Sequence, residues 1–197
     1  MHESGLRLEN PYLEEFEATA PRWPAAPELR KLTMERYVLR QALVAKYAWA
    51  IPSDAAIELL LRYSPLVEMG AGTGYWAGLV RSGGGDIVAY DRYPPPDPRN
   101  RWHAGQPPWS EVRPGGVKRL RLHPDRTLFL CWPPDDEPMG LESLAAYPGR
   151  TVVFVGETGP GGDLAEELDR WDLVETLDLP QWEGIRDRLF VLRRRST

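Results

Sequence analysis

Between residues 66 and 91 the chain runs Leu66-Val67-Glu68-Met69-Gly70-Ala71-Gly72-Thr73-Gly74-Tyr75-Trp76, then a helix-like segment, then Asp86-Ile87-Val88-Ala89-Tyr90-Asp91. A short apolar run thus enters a loop with glycines at 70, 72 and 74, and a second apolar run ends in a carboxylate. That order predicts a strand, a tight loop, a helix and a parallel strand, with the carboxylate placed for a ribose. The glycines let the backbone turn sharply and let a ligand approach the N–H groups at the helix N-terminus. Asp91 follows Gly70 by 21 residues, close to the spacing of about 20 at which a ribose-binding acid sits in this topology.

A dinucleotide fingerprint asks for G-x-G-x-x-G, with the third glycine letting helix and strand close beside a pyrophosphate. Here that third position is Tyr75. The bulky Tyr75-Trp76 pair suits a pyrophosphate turn poorly, whereas a ligand without phosphates needs only the close backbone approach. The run Glu68-x-Gly70-x-Gly72-x-Gly74 resembles motif I of the class I S-adenosylmethionine-dependent methyltransferases, and the order of elements extends the resemblance over residues 53–194. The resemblance implies an α/β fold: a doubly wound, mostly parallel seven-stranded sheet with an antiparallel C-terminal hairpin, preceded by N-terminal helices. It also implies S-adenosylmethionine as cofactor. The backbone of Gly70, Ala71 and Gly72 would pass beneath its methionine part, with Gly74 and Tyr75 completing the loop. Glu68 would fix the loop or reach the methionine amine through water. Asp91 would accept hydrogen bonds from the ribose, a task for an acceptor-only carboxylate, and Arg92 and Tyr93 would border the adenine.

A chain of 197 residues suits one domain with a sizeable core and an added N-terminal segment. We read residues 1–52 as a helical arm or lid and 53–197 as the S-adenosylmethionine-binding domain. Eight tryptophans and an apolar fraction of 42% indicate a folded globular protein, while 20 prolines and 18 glycines imply long irregular connections. The formal charge is −5 and positive charge collects only at Arg193-Arg194-Arg195, which argues against DNA or RNA as substrate. The single cysteine, Cys131, excludes an internal disulfide, and no cysteine-histidine cluster offers a zinc site. The N-terminus lacks a signal-peptide core, and no run approaches the roughly 18 apolar residues of a membrane span. A cytoplasmic monomer or homodimer is expected.

Along the chain, helices are predicted near 13–20, over 28–50 with apolar positions at helical spacing, and from the N-cap pair Ser53-Asp54 up to Pro65. Residues 92–116 show no period, and a loop this long is usually functional or disordered; Trp102, His103 and Trp109 within it favour an ordered, substrate-facing loop. Residues 117–122 and 127–131 read as strands, 139–147 as a helix, 151–155 as a buried strand ending at Gly156-Glu157, and 163–170 as a helix. Residues 171–179 and 188–193 form the antiparallel pair.

The strand ends Glu68–Gly70, Asp91, Cys131-Trp132 and Glu157 should share one rim, where open α/β sheets bind ligands. Cys131-Trp132-Pro133-Pro134 occupies the place where amino-group methyltransferases carry Asp/Asn-Pro-Pro-aromatic. Trp132 supplies no side-chain acceptor there, so backbone carbonyls of Cys131 or Trp132 are left to orient a nucleophile, and both residues count as cofactor contacts. Asp135 and Asp136 follow as substitutes or as a solvated turn. Transfer from a sulfonium depends mainly on holding the acceptor in line; for a hydroxyl or thiol acceptor His103 is the candidate base. Catalytic candidates are therefore His103 and Trp132. Cys131 reads as a small buried hydrophobe rather than a nucleophile, His123 as a surface turn residue, and His2 as part of a disordered terminus. Tyr47, Trp49, Trp132 and Trp182 could enclose a sulfonium, and Tyr47, next to the lid, is a candidate cofactor contact. The leading function is methyl transfer to a small organic molecule. The alternatives are an S-adenosylmethionine-using lyase or cyclase, and a non-catalytic module that binds the cofactor.

Overall fold

The computed structural model describes residues 8–19, 29–157, 163–168 and 170–195; His2 lies outside them. The elements are α1 (Pro11–Thr19), α2 (Leu29–Lys46), α3 (Asp54–Arg62), β1 (Leu66–Met69), α4 (Tyr75–Ser82), β2 (Ile87–Asp91), β3 (Arg113–Pro114), a 3-10 turn (Val117–Leu122), β4 (Thr127–Cys131), α5 (Met139–Ala146), β5 (Thr151–Glu157), α6 (Asp163–Leu168), β6 (Trp171–Asp178) and β7 (Asp187–Arg194). The seven strands form one sheet in the order β3-β2-β1-β4-β5-β7-β6. β1 to β5 pair in parallel, and β7 runs antiparallel to both β5 and β6. This is the expected mostly parallel, Rossmann-like seven-stranded sheet with its antiparallel hairpin at the edge.

The central strands are apolar along their length because helices cover both faces. Leu128, Phe129 and Leu130 of β4 are all fully buried. Phe129 joins the core on the face of α1 to α4, whereas Leu128 and Leu130 join the opposite core beside the 3-10 turn and α5. Ser53 caps α3, its hydroxyl accepting from Ala56 N–H at 3.2 Å. Asn10 does the same for α1, accepting from Leu13 N–H at 3.3 Å.

One strand is displaced from its predicted place. Residues 117–122 form a 3-10 turn, and the third strand is the dipeptide Arg113–Pro114 beside β2. Val117 and Leu120 lie one 3-10 turn apart, with Leu120 fully buried while Leu122 is exposed. A strand read there would have needed alternation, and the spacing of three gives a turn instead.

Candidate functional site

The carboxyl ends of β1, β2, β4 and β5 share one rim, and the strand order reverses between β1 and β4, which makes the glycine loop the switch point. Gly70, Gly72 and Gly74 have φ of 75°, 52° and 74°, a region that side chains other than glycine enter at a cost. Gly70 N–H and Ala71 N–H both donate to the carbonyl of Tyr90, at 2.9 and 3.0 Å. Gly72 N–H donates to Asp91 Oδ2 and Tyr93 N–H to Asp91 Oδ1, each at 2.9 Å. Asp91 thus ties the loop after β1 to the loop after β2, and each of its oxygens keeps a lone pair for a ligand hydroxyl. Gly74 caps α4. Arg92 is exposed, with its guanidinium 5.4 Å from the ring of Tyr93.

Glu68 is buried, and its Oε2 has no hydrogen-bond partner. Burial pushes its pKa up to about 8; Asp91 adds to the rise and Arg81 opposes it. A buried acid of this kind keeps its proton near neutrality until a cation or donor reaches it.

The side of each glycine on which a Cβ would stand is filled by the chain itself. A Cβ at Gly70 would lie 2.7 Å from the Met139 methyl, and one at Gly72 would lie 2.7 Å from His103 Nε2. At Gly74 it would meet Val112 at 2.6 Å and Ser110 Oγ at 2.9 Å. His103 is buried and its Nδ1 lies 2.9 Å from the carbonyl of Ala45. A carbonyl only accepts, so Nδ1 carries the proton and Nε2 is left as an acceptor. Burial lowers the His103 pKa, with the Ala45 bond and the Asp91 charge opposing. Residues 92–116 are therefore an ordered segment lying across the glycine loop. The donors and acceptors suit S-adenosylmethionine: bare glycine backbone, an acid with free lone pairs at the end of β2, and an unpartnered buried carboxylate in β1. An open groove of about 720 Å³ lies elsewhere, on the β6–β7 hairpin, lined by Asp178, Leu179, Gln181, Arg186 and Arg188; it carries none of these groups.

On the other side of the switch point Trp132 adopts a left-handed conformation, φ 48°. Its indole N–H donates to Asp187 Oδ1 at 2.7 Å, and its ring stacks on Trp49 at 5.5 Å. Trp102 meets Trp49 edge-on at 4.9 Å, and the Arg40 guanidinium lies 5.4 Å from the Trp49 ring. Asp187 opens β7 opposite Glu157 and is fully buried, its Oδ2 unpartnered. Burial raises its pKa to about 6, while the Trp132 bond and Arg40 pull it down and Glu157 pushes it up. A buried carboxylate from the start of β7 thus holds the Trp132 indole in place. Sequence reasoning missed Asp187; its only signal is an acid at the first position of the last strand.

Of the four aromatic residues read as an enclosure, Trp49 and Trp132 come together, joined by Trp102. Tyr47 and Trp182 are turned into the core: Tyr47 stacks on Tyr12 at 5.0 Å and its hydroxyl donates to Glu15 at 2.6 Å, while Trp182 N–H donates to Tyr12 Oη at 3.2 Å. Tyr75 is buried with them, donating to Asn10 Oδ1 at 2.7 Å. Burial holds the Cys131 thiol well above its usual range, so it stays protonated as a small apolar group. Asp136 pairs with Arg101 at 2.6 Å on the surface. His123, read as a surface turn residue, is half-buried and its Nε2 lies 3.1 Å from Tyr90 Oη. Among the described residues no cluster of His, Cys, Asp and Glu could hold a metal ion.

No protein-family model matches the chain, and no curated protein matches it. Among solved structures it is similar to magnesium protoporphyrin IX methyltransferase from Synechocystis PCC 6803 with bound S-adenosylmethionine. The identity is 10% over 94% of this chain and 93% of that one, with a TM-score of 0.47. It is also similar to 1,6-didemethyltoxoflavin-N1-methyltransferase from Burkholderia thailandensis, at 14% identity over 89% and 93%, TM-score 0.46.

Proposed function

We infer that this chain is an S-adenosylmethionine-dependent methyltransferase acting on a small organic molecule in the cytoplasm, as a monomer or homodimer. The observation that carries the reading is the glycine loop at the sheet's switch point, with Asp91 bonded to its central amide. In this reading Gly70, Ala71, Gly72 and Gly74 present bare backbone to the cofactor, Glu68 accepts from its ammonium, Asp91 from its ribose, and Arg92 lies at its adenine. The cofactor supplies an activated methyl group on a sulfonium. The chain's own work is then to bind, orient and exclude water. Trp49, Trp102 and Trp132 form an apolar wall at the β4 end, next to Asp187, on which a compact acceptor can lie. His103 Nε2, neutral near pH 7, is the proton acceptor where the acceptor atom is an oxygen or sulfur. The net charge of −5 supports a small acceptor over a nucleic acid. Among the described residues no helix is long and apolar enough to cross a membrane. A second reading, a module that keeps the fold without turnover, is favoured by the packing of His103 and Met139 onto the glycines.

The test is calorimetric titration of the wild type and Asp91→Ala with S-adenosylmethionine, S-adenosylhomocysteine and NADH. Micromolar binding of the first two, lost in the variant, is the expected result. Binding of NADH alone, or no binding, overturns the reading.

A further inference from the structure

The three glycines of the loop are each met by a side chain from elsewhere in the chain. His103, Ser110 and Val112 come from residues 92–116, and Met139 from the first turn of α5. These contacts differ in how easily they yield. Met139 is unbranched, its terminal methyl turns about several bonds, and the residue is only half-buried. The His103 ring has no such freedom: it is buried and bonded to the carbonyl of Ala45, and its backbone N–H is held by Asn100 Oδ1 at 2.8 Å.

The 92–116 segment is held by Arg81, which donates to Ser110 Oγ at 2.8 Å and to the Glu111 carbonyl at 3.0 Å, by the Arg101–Asp136 pair at 2.6 Å, and by a set of bonds to the end of α2 and to the loop itself. His103 Nδ1–H reaches the Ala45 carbonyl, and Trp109 Nε1–H reaches the Lys46 carbonyl at 2.8 Å. The Trp109 N–H donates to the Thr73 carbonyl at 2.8 Å, and the Thr73 hydroxyl donates to the carbonyl of Tyr47. The acceptors at Ala45, Lys46 and Tyr47 belong to the end of a helix, where carbonyls have no partner within the helix and exchange readily with water. Trp109 stacks on Tyr47 at 5.1 Å yet is 42% exposed. Gly105, at φ 72° and with open space where a Cβ would stand, lies between the two anchors. A helix-end acceptor and a partly exposed ring make the Trp109 anchor the part of the segment that yields first.

We propose that residues 100–112 are a strap over the cofactor site, with the His103 imidazole over Gly72 as its plug, so that S-adenosylmethionine enters only after the strap lets go of the end of α2. The proposal rests on the cofactor reading above. Its consequence is quantitative: apparent affinity falls below intrinsic affinity by the fraction of molecules in which the strap is open. Loosening either anchor raises that fraction and tightens binding without adding a contact.

The experiment is binding of S-adenosylhomocysteine to the wild type, Trp109→Phe and His103→Ala, with equilibrium affinity from calorimetry and association followed by stopped-flow tryptophan fluorescence. Trp109→Phe cuts the bond to the Lys46 carbonyl, keeps an aromatic ring on Tyr47, and touches no glycine. In the wild type the observed rate is expected to level off with rising ligand, at the opening rate of the strap. Trp109→Phe should raise that plateau several-fold, and His103→Ala should tighten the dissociation constant about tenfold. Binding by the variants and not by the wild type supports the strap as well. A wild-type rate that climbs linearly, with affinities unchanged in both variants, overturns the strap and leaves the cofactor reading standing. Weaker binding in His103→Ala with Trp109→Phe unchanged also overturns it, by making His103 a ligand contact. If none of the three proteins binds at millimolar ligand, the cofactor reading falls and the strap falls with it.

Discussion

Glu68 sets a conflict between fold and ligand in a single side chain. Its folded-state pKa of about 8 stands above the ordinary 4.5 because the carboxyl is buried, with Arg81 only partly compensating. Between those two pH values the folded chain holds a proton that the unfolded chain has released, so stability falls as pH rises from about 4.5 to about 8. At about 1.4 kcal/mol per unit the loss is on the order of 5 kcal/mol. Glu68→Gln removes the titration. It should be more stable than the wild type by about 2–5 kcal/mol at pH 8.5 and equally stable near pH 5, as read from urea denaturation at both. The same shift has a functional face. If the cofactor's ammonium settles on Glu68, binding near pH 7 must expel the proton that the free protein holds. Calorimetry of S-adenosylhomocysteine in buffers of different ionisation enthalpy should then show release approaching one proton in the wild type and none in Glu68→Gln. Equal heats after buffer correction would remove Glu68 from the ligand.

Between elements, the contact with the clearest chemical consequence is the one that joins the end of β4 to the start of β7. Trp132 sits in a left-handed conformation and donates to Asp187, whose pKa is raised by burial to about 6 from 3.8. Above that pH the bond runs to a charged acceptor, worth about 1.5–3 kcal/mol; below it the acceptor is neutral and the bond is worth about 1 kcal/mol. Trp132→Phe should therefore lose about 2–3 kcal/mol of stability at pH 7.5 and clearly less at pH 5. An equal loss at both pH values would mean that packing on Trp49, rather than the indole bond, holds the segment. Sequence patterns carry no warning of this pair, because Asp187 acquires its partner only through the register that sets it opposite Glu157. The buried parallel strands were legible because covering both faces demands unbroken apolar runs, and the glycine loop because positive φ demands glycine. β3 was not legible: two exposed residues, one of them proline, carry no apolar signal, and the three-residue spacing of Val117 and Leu120 lay just beyond them. The path of residues 92–116 was equally hidden, since its course is set by helix-end carbonyls of α2 and by glycines some thirty residues upstream, not by any period of its own.

For the whole molecule the question is whether the N-terminal helices are an arm or part of the body. Tyr12, Leu43, Tyr47, Ala50 and Ile51 share one buried core with α3, α4 and the sheet residues Phe129, Val153 and Leu189. Tyr12 stands at its centre, fully buried, stacked on Tyr47, receiving the Trp182 N–H, and with its own backbone N–H on Tyr75 Oη at 3.0 Å. These contacts cross from α1 to α2, to the first residue of α4 and to the β6–β7 connection. The same α2 end takes the hydroxyl of Thr73 from the glycine loop and both strap anchors. Loss of the N-terminal packing should therefore reach the cofactor site. Tyr12→Ala should cost about 3–5 kcal/mol, the range for removing a large buried aromatic ring. In the wild type, urea unfolding followed by far-ultraviolet and near-ultraviolet circular dichroism should give coincident single transitions, because the helices and the sheet share one core. An early transition that removes a large part of the far-ultraviolet helix signal while the sheet's signal persists would make α1 and α2 a separately melting arm. Cofactor affinity and N-terminal stability should then vary independently; under the shared core, Tyr12→Ala weakens S-adenosylhomocysteine binding although Tyr12 lies in the core and not on the glycine loop.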